Sequence, residues 1–94
     1  MFKVEWLEGA LSQLASEWLN ADSQLRAAIT ATVHAIENRL ALAPDREGES
    51  REPGTRVLVV PPLTVTFHVN VRTKTTLISG IRVHPRRPRD GAES

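Results

Sequence analysis

The sequence predicts an α+β domain: an N-terminal strand, a two-helix antiparallel hairpin, then a three-strand antiparallel meander, together forming one small sheet. Three observations carry this prediction. Apolar residues alternate with period two at the start of the chain, recur at helical spacing through its first half, and alternate again in its second half. A polar stretch with two prolines and two glycines, residues 44–55, separates the helical part from the later strands. Finally, 94 residues with 40% hydrophobic content can fill one modest core but not two, which makes residues 1–84 a single domain.

In FKVEW, Phe2, Val4 and Trp6 share one face and leave Lys3 and Glu5 on the other, the pattern of a half-buried strand. From Leu7 the period changes. Leu7, Ala10, Leu11, Leu14, Ala15, Trp18 and Leu19 form an apolar stripe on a first helix, which puts Trp6 and Trp18 in the core. Asn20-Ala21-Asp22 interrupts it, and Asp22 is a good N-cap for a second helix carrying Leu25, Ile29, Thr32, Val33, Ile36 and Leu40. His34 reads as a boundary residue beside that stripe. Pro44 stops the helix, and the short link between the helices turns both stripes toward a common sheet. Residues 44–55 read as an exposed connection.

RVLVV follows, then Pro61-Pro62, then LTVTFHVNV, in which Leu63, Val65, Phe67, Val69 and Val71 form the packed face. Thr64, Thr66, His68, Asn70 and Arg72 form the wet one. After a turn at RTKT, strict alternation in TLISGIRVH sets Leu77, Ser79, Ile81 and Val83 against Thr76, Ile78, Gly80, Arg82 and His84. PRRPRDGAES, residues 85–94, is a proline-broken basic tail expected to be mobile.

Composition narrows the function. Without cysteine there is no disulfide framework, thiolate zinc site or cysteine nucleophile. Three scattered histidines make a metal site improbable, and the reading calls for no cofactor. No apolar run reaches the roughly 20 residues of a membrane helix, and an acidic residue by position 5 is unlike a secretory signal, so a cytoplasmic protein without a membrane partner is expected. Charge is unevenly divided: residues 1–50 hold four basic residues against eight acidic ones, residues 51–94 eight against three. From Arg72 to Arg89 there are six basic residues and no acid, a concentration that attracts phosphate or keeps a sheet soluble.

Taken in order, VEW at 4–6, Ala10-Leu11, Leu14 and Trp18 along the first helix, and Ile36, Glu37, Leu40 and Pro44 closing the second are followed by GESREPGTR, PLTVTFHV and TLISGIRV. The series resembles the RelE/ParE superfamily, the toxins of type II toxin–antitoxin modules. The resemblance spans nearly the whole chain. It implies a cognate antitoxin as partner and one of two activities: RelE-like cleavage of mRNA in the ribosomal A site, or ParE-like poisoning of DNA gyrase without nuclease activity. A third reading is a degenerate member that keeps only antitoxin binding.

Metal-independent RNA cleavage through the 2′-hydroxyl needs groups that remove and donate protons and cations that stabilise the phosphorane. The resemblance puts Arg56 where such toxins carry a basic residue at the start of a strand, and His84 near another basic position. Arg82 precedes His84 by two residues and so shares its face. Histidine changes charge between pH 5 and 8, which makes His84 the best acid/base group on offer. Arg56, Arg82 and His84 are thus the candidate catalytic residues. Arg51, His68, Arg72, Lys74, Arg86, Arg87 and Arg89 are candidate nucleic-acid contacts, although Arg51 and Arg56 can also pair with Glu49 and Glu52. A hairpin turning about Thr73 and Lys74 brings Arg82 and His84 beside Thr64 and Thr66, with His68 diagonal to Arg82. Two departures from the RelE-like pattern stand out: Thr64 where an arginine is common, and no tyrosine anywhere.

Overall fold

A computed structural model of the chain describes residues 1–84. The elements are β1 (Lys3–Trp6), α1 (Glu8–Leu19), α2 (Ser23–Leu42), a 3₁₀ turn (Pro44–Arg46), β2 (Glu49–Glu52), β3 (Thr55–Val60), β4 (Leu63–Asn70) and β5 (Thr75–Val83). They form one sheet of five strands in the order β1-β5-β4-β3-β2. β1 lies parallel to β5, and the other pairings are antiparallel. The tail and its Arg86, Arg87 and Arg89 lie outside the described residues.

The core sits between α2 and one face of the sheet. Ile29, Ile36 and Leu40 of α2 meet Leu63, Val65 and Phe67 of β4 and Ile78 of β5, all of them buried. Two polar contacts fasten the layers. The Thr76 hydroxyl, buried on β5, donates to the Leu40 carbonyl at 3.1 Å, and the Trp6 indole N–H donates to the Glu37 carboxylate at 2.8 Å. Asp22 caps α2 as expected: its Oδ1 accepts from the Leu25 N–H at 2.8 Å. Replacing Asp22 by alanine leaves that amide unpaired, a loss of about 1 kcal/mol. For a domain of this size that lowers the thermal midpoint by about 4–8 °C, measurable by circular dichroism, with Asp22→Asn close to the unaltered protein.

Four expectations need correction. The sheet has a fifth strand inside the connection 44–55. β2 reads Glu-Ser-Arg-Glu, wholly exposed, so it carries no alternation, and what makes it a strand is backbone pairing with β3 around Pro53-Gly54. Gly48 enters that strand at φ +67°, where an added Cβ would run into the Val57 carbonyl. Gly48→Ala therefore costs about 1–3 kcal/mol in chemical denaturation. A midpoint equal to that of the unaltered protein would mean the loop does not lie against β3.

Second, β5 does not alternate strictly. Phe67 pairs with Ile78 but Thr66 with Gly80, so Ser79 is an extra residue in a β-bulge. Thr76 and Ile78 are buried before it, and Ile81 and Val83 after it. The bulge changes the phase, which resolves a conflict in the sequence: without it, Ile78 and Arg82 would share a face. Third, β4 ends at Asn70, and Val71 begins the turn at 63% exposed instead of closing the packed face.

Fourth, α1 does not bury its stripe. Ala10 is its one buried residue, while Leu7, Leu11 and Leu19 are exposed and Trp18 is 38% exposed. The cause is geometric. β1 ends at Trp6, so α1 packs chiefly against β5, with no further strand of its own to cover. Trp18 is accordingly not a core residue. Arg26 lies over its ring at 4.5 Å and donates to the Trp18 and Leu19 carbonyls at 2.9 and 3.0 Å, capping the end of α1.

Candidate functional site

The open face of the sheet carries Thr64, Thr66 and His68 from β4, with Leu77, Gly80 and Arg82 opposite them on β5. At the end of this face a polar hollow of ≈ 310 Å³ is lined by Gln13 of α1, Thr64, Thr66, Gly80, Ile81, Arg82 and His84. Strand pairing sets Arg82 directly across from Thr64. One residue past β5, the His84 N–H donates to the Pro62 carbonyl at 2.7 Å and fixes the backbone there. Its Nε2 lies 2.7 Å from the Thr64 hydroxyl, so Thr64 stands between the guanidinium strand position and the imidazole. Among the described residues, no carboxylate lines the hollow. The ion pairs among the described residues, Lys3–Glu5, Arg39–Glu47 and Arg51–Glu49, leave Arg82 out. Two hydroxyls, a guanidinium and an imidazole around one small space are donors suited to the oxygens of a phosphate.

Of the three candidate catalytic residues, Arg82 and His84 meet here and Arg56 does not. Arg56 pairs in register with the fully buried Phe67, which puts it on the helix-covered side of the sheet. Its Nε donates to the Glu47 carbonyl at 2.7 Å and its terminal nitrogen to the Gly48 carbonyl at 3.2 Å. It braces the loop before β2.

His68 shares the open face but not the hollow. The register sets Thr64, not Thr66, across from Arg82, which takes His68 out of the diagonal with Arg82, and the bulge then sets it opposite Leu77. Its Nδ1 lies 3.2 Å from the Thr55 hydroxyl and its Nε2 3.1 Å from the Ser79 hydroxyl, which itself donates to the Thr66 carbonyl at 3.3 Å. His68 thus pins the bulge residue on whose phase shift Arg82 depends. Arg72 and Lys74 are in the turn at the far end of β4 and β5, about 25 Å away by strand rise, too distant to hold the same phosphate. Lys74 lies over the Phe2 ring at 5.6 Å. Arg51, on edge strand β2, is 3.8 Å from Glu49, an exposed pair worth about 0–1 kcal/mol. Gln13 had no sequence signal as a site residue; it is a polar residue of α1 that reaches the hollow only because α1 runs beside β5.

A second surface feature lies on the helices. Leu11, Leu14, Ala15, Trp18 and Leu19 of α1 and Ile29, Thr30, Val33 and His34 of α2 line an apolar groove of ≈ 490 Å³. His34, placed by the sequence at the edge of the α2 stripe, is an exposed wall of it. Among the described residues no three His, Cys, Asp or Glu side chains group closely enough to hold a metal ion, and no helix is long and apolar enough to cross a membrane.

No family model and no curated protein sequence matches the chain. Solved structures do. A chain of the chromosomal ParDE toxin–antitoxin system from P. aeruginosa superposes with a TM-score of 0.71 at 20% identity, over 90% of this chain and 98% of that one. A chain of the RelBE2 toxin–antitoxin complex from Mycobacterium tuberculosis gives 0.70 at 16%, over 88% and 98%. The isolated E. coli RelE toxin gives 0.61 at 14%, over 93% and 88%. The chain has the RelE/ParE toxin fold. Within that fold, the order strand, helical hairpin and antiparallel strands is the one its sequence predicts, and the RelE/ParE architecture extends across nearly all the described residues.

Proposed function

We propose that this chain is the toxin of a type II toxin–antitoxin pair and that the hollow between Arg82 and His84 cleaves mRNA on the ribosome. The observation that supports this reading is the shared hollow itself: on a RelE/ParE fold, a guanidinium, an imidazole and two threonine hydroxyls surround one space that no carboxylate of the described residues lines. In the proposed reaction the ribose 2′-oxygen attacks the adjacent phosphorus and loses its proton. The bond from phosphorus to the 5′-oxygen breaks, that oxygen gains a proton, and a 2′,3′-cyclic phosphate remains. His84 takes one of the two proton transfers, solvent the other, and Arg82 stabilises the charged phosphorane. Thr64 orients the imidazole through the 2.7 Å contact. Arg56 holds the scaffold.

The antitoxin docks on the helical hairpin. The exposed Leu11, Trp18 and Leu19 present the kind of apolar groove that an amphipathic segment covers. Added to a translating extract, the purified chain is expected to shorten mRNA within codons, and an antitoxin that covers the groove to stop it. Intact mRNA at doses that halt growth would refute cleavage.

A second reading, ParE-like inhibition of DNA gyrase without chemistry, has one observation in its favour. Arg56 spends its guanidinium on two backbone carbonyls, which leaves the open face with a smaller cationic set than RNA cleavage would ordinarily use. A supercoiling assay separates the two: inhibition that persists in His84→Ala, with mRNA untouched, establishes gyrase as the target.

A further inference from the structure

A cleft of ≈ 530 Å³ lies between the first turns of α2 and the β3–β4 turn, lined by Asp22, Gln24, Leu25, Ala28, Pro61, Pro62 and His84. His84 also lines the Arg82 hollow, so one imidazole-bearing residue is common to the two spaces. Two hollows with a common wall suit one ligand with two unlike ends. Their chemistry is unlike in a definite way.

The hollow offers Arg82 and two threonine hydroxyls, whereas the cleft offers the Asp22 carboxylate, held in place by its bond to the Leu25 N–H at 2.8 Å. A phosphate is drawn to the first and repelled by the second. The cleft favours an uncharged body instead. Leu25, Ala28 and the two prolines supply apolar walls, and prolines bring no N–H that must keep a hydrogen-bond partner. The Gln24 amide both donates and accepts, and the Asp22 carboxylate accepts, so a polar edge can be read. Among the described residues, no Phe, Tyr or Trp lines either space, so a ring there meets the apolar walls and the His84 imidazole.

We infer that this cleft is a nucleobase subsite, seating the base of the nucleotide whose phosphate lies against Arg82 and His84. The inference rests on the RNA reading of that hollow. It adds a preference: a base with an exocyclic amino group, such as cytosine, can donate to Asp22 through that group, whereas uracil carries a carbonyl oxygen there, which the carboxylate repels.

The test is a titration of the full-length ¹⁵N-labelled protein, followed by amide shifts, with inorganic phosphate, cytidine 3′-monophosphate and uridine 3′-monophosphate. Phosphate is expected to shift the amides of Thr64, Thr66, Gly80, Arg82 and His84, and the cytidine nucleotide to shift those of Gln24, Leu25 and Ala28 as well. The cytidine nucleotide should bind about tenfold more tightly than phosphate, the equivalent of about 1.4 kcal/mol. Gln24→Ala and Ala28→Leu should each remove that difference, and the dispersion of their spectra reports whether they fold. A cytidine nucleotide that shifts and binds no more than phosphate does overturns the subsite and leaves the cleavage reading standing. A uridine nucleotide that binds as tightly as the cytidine one overturns the role of Asp22. A nucleotide seated in the cleft of a protein that leaves mRNA whole supports the subsite and removes the cleavage step alone.

Discussion

His84→Ala is expected to lower mRNA cleavage in a translating extract by about 10²–10⁴-fold, the range for removing a positioned general acid or base. Arg82→Ala should fall in the same range, since it removes the guanidinium that meets the developing charge on the phosphorane. Arg82→Lys keeps the charge but not the planar fork and should recover part of the loss. The two side chains serve one transition state across Thr64, so the double variant should lose less than the product of the single losses. Arg56→Ala is the informative contrast. Its guanidinium holds the Glu47 and Gly48 carbonyls on the other side of the sheet, so its removal should appear in the denaturation midpoint and not in the rate of the protein that remains folded. A rate that collapses in Arg56→Ala while His84→Ala cleaves normally would move the chemistry off the open face altogether.

The placement of Arg56 shows where the sequence stops being readable. β4 announces its faces because threonines and a histidine alternate with leucine, valine and phenylalanine, and Leu63, Val65 and Phe67 are buried as that pattern requires. β3 gives no such signal. Val57, Leu58, Val59 and Val60 are all apolar, so parity cannot say which side Arg56 takes, and only pairing with Phe67 decides it. β2 is invisible for the opposite reason, having no apolar residue at all. The bulge at Ser79 is a third kind of loss. Its hydroxyl contacts His68 across the strands, an interaction between residues eleven apart that no local periodicity encodes. Yet Arg82 and His84 were legible as a pair, because both follow the bulge and keep their own spacing of two. The sequence therefore yields the hollow's two principal side chains but not its Gln13 wall, nor the removal of His68 from it.

Phe67→Ala carries the largest expected effect on stability, about 3–5 kcal/mol. The ring is fully buried, with Ile78 opposite it on β5, and it belongs to the cluster that joins the sheet to α2. A single domain holds roughly 5–15 kcal/mol in all, so the variant should be largely unfolded at 37 °C and show a much reduced urea midpoint. The apolar residues of α1 should behave differently, although their helical spacing looks equally core-like. Leu19 is 66% exposed, so Leu19→Ser removes little buried area and should shift stability by less than about 0.5 kcal/mol. Its effect should fall on partner binding, because Leu19 and Trp18 line the groove in which the antitoxin is proposed to sit. An apolar stripe that folding leaves uncovered has no stabilising role to lose, and a partner is what would give it one. If Leu19→Ser unfolds the chain as Phe67→Ala does, α1 is packed more deeply than described and the groove is not a docking surface. If it folds normally and antitoxin binding weakens, the same substitution separates the residues that make the domain from those that meet its partner.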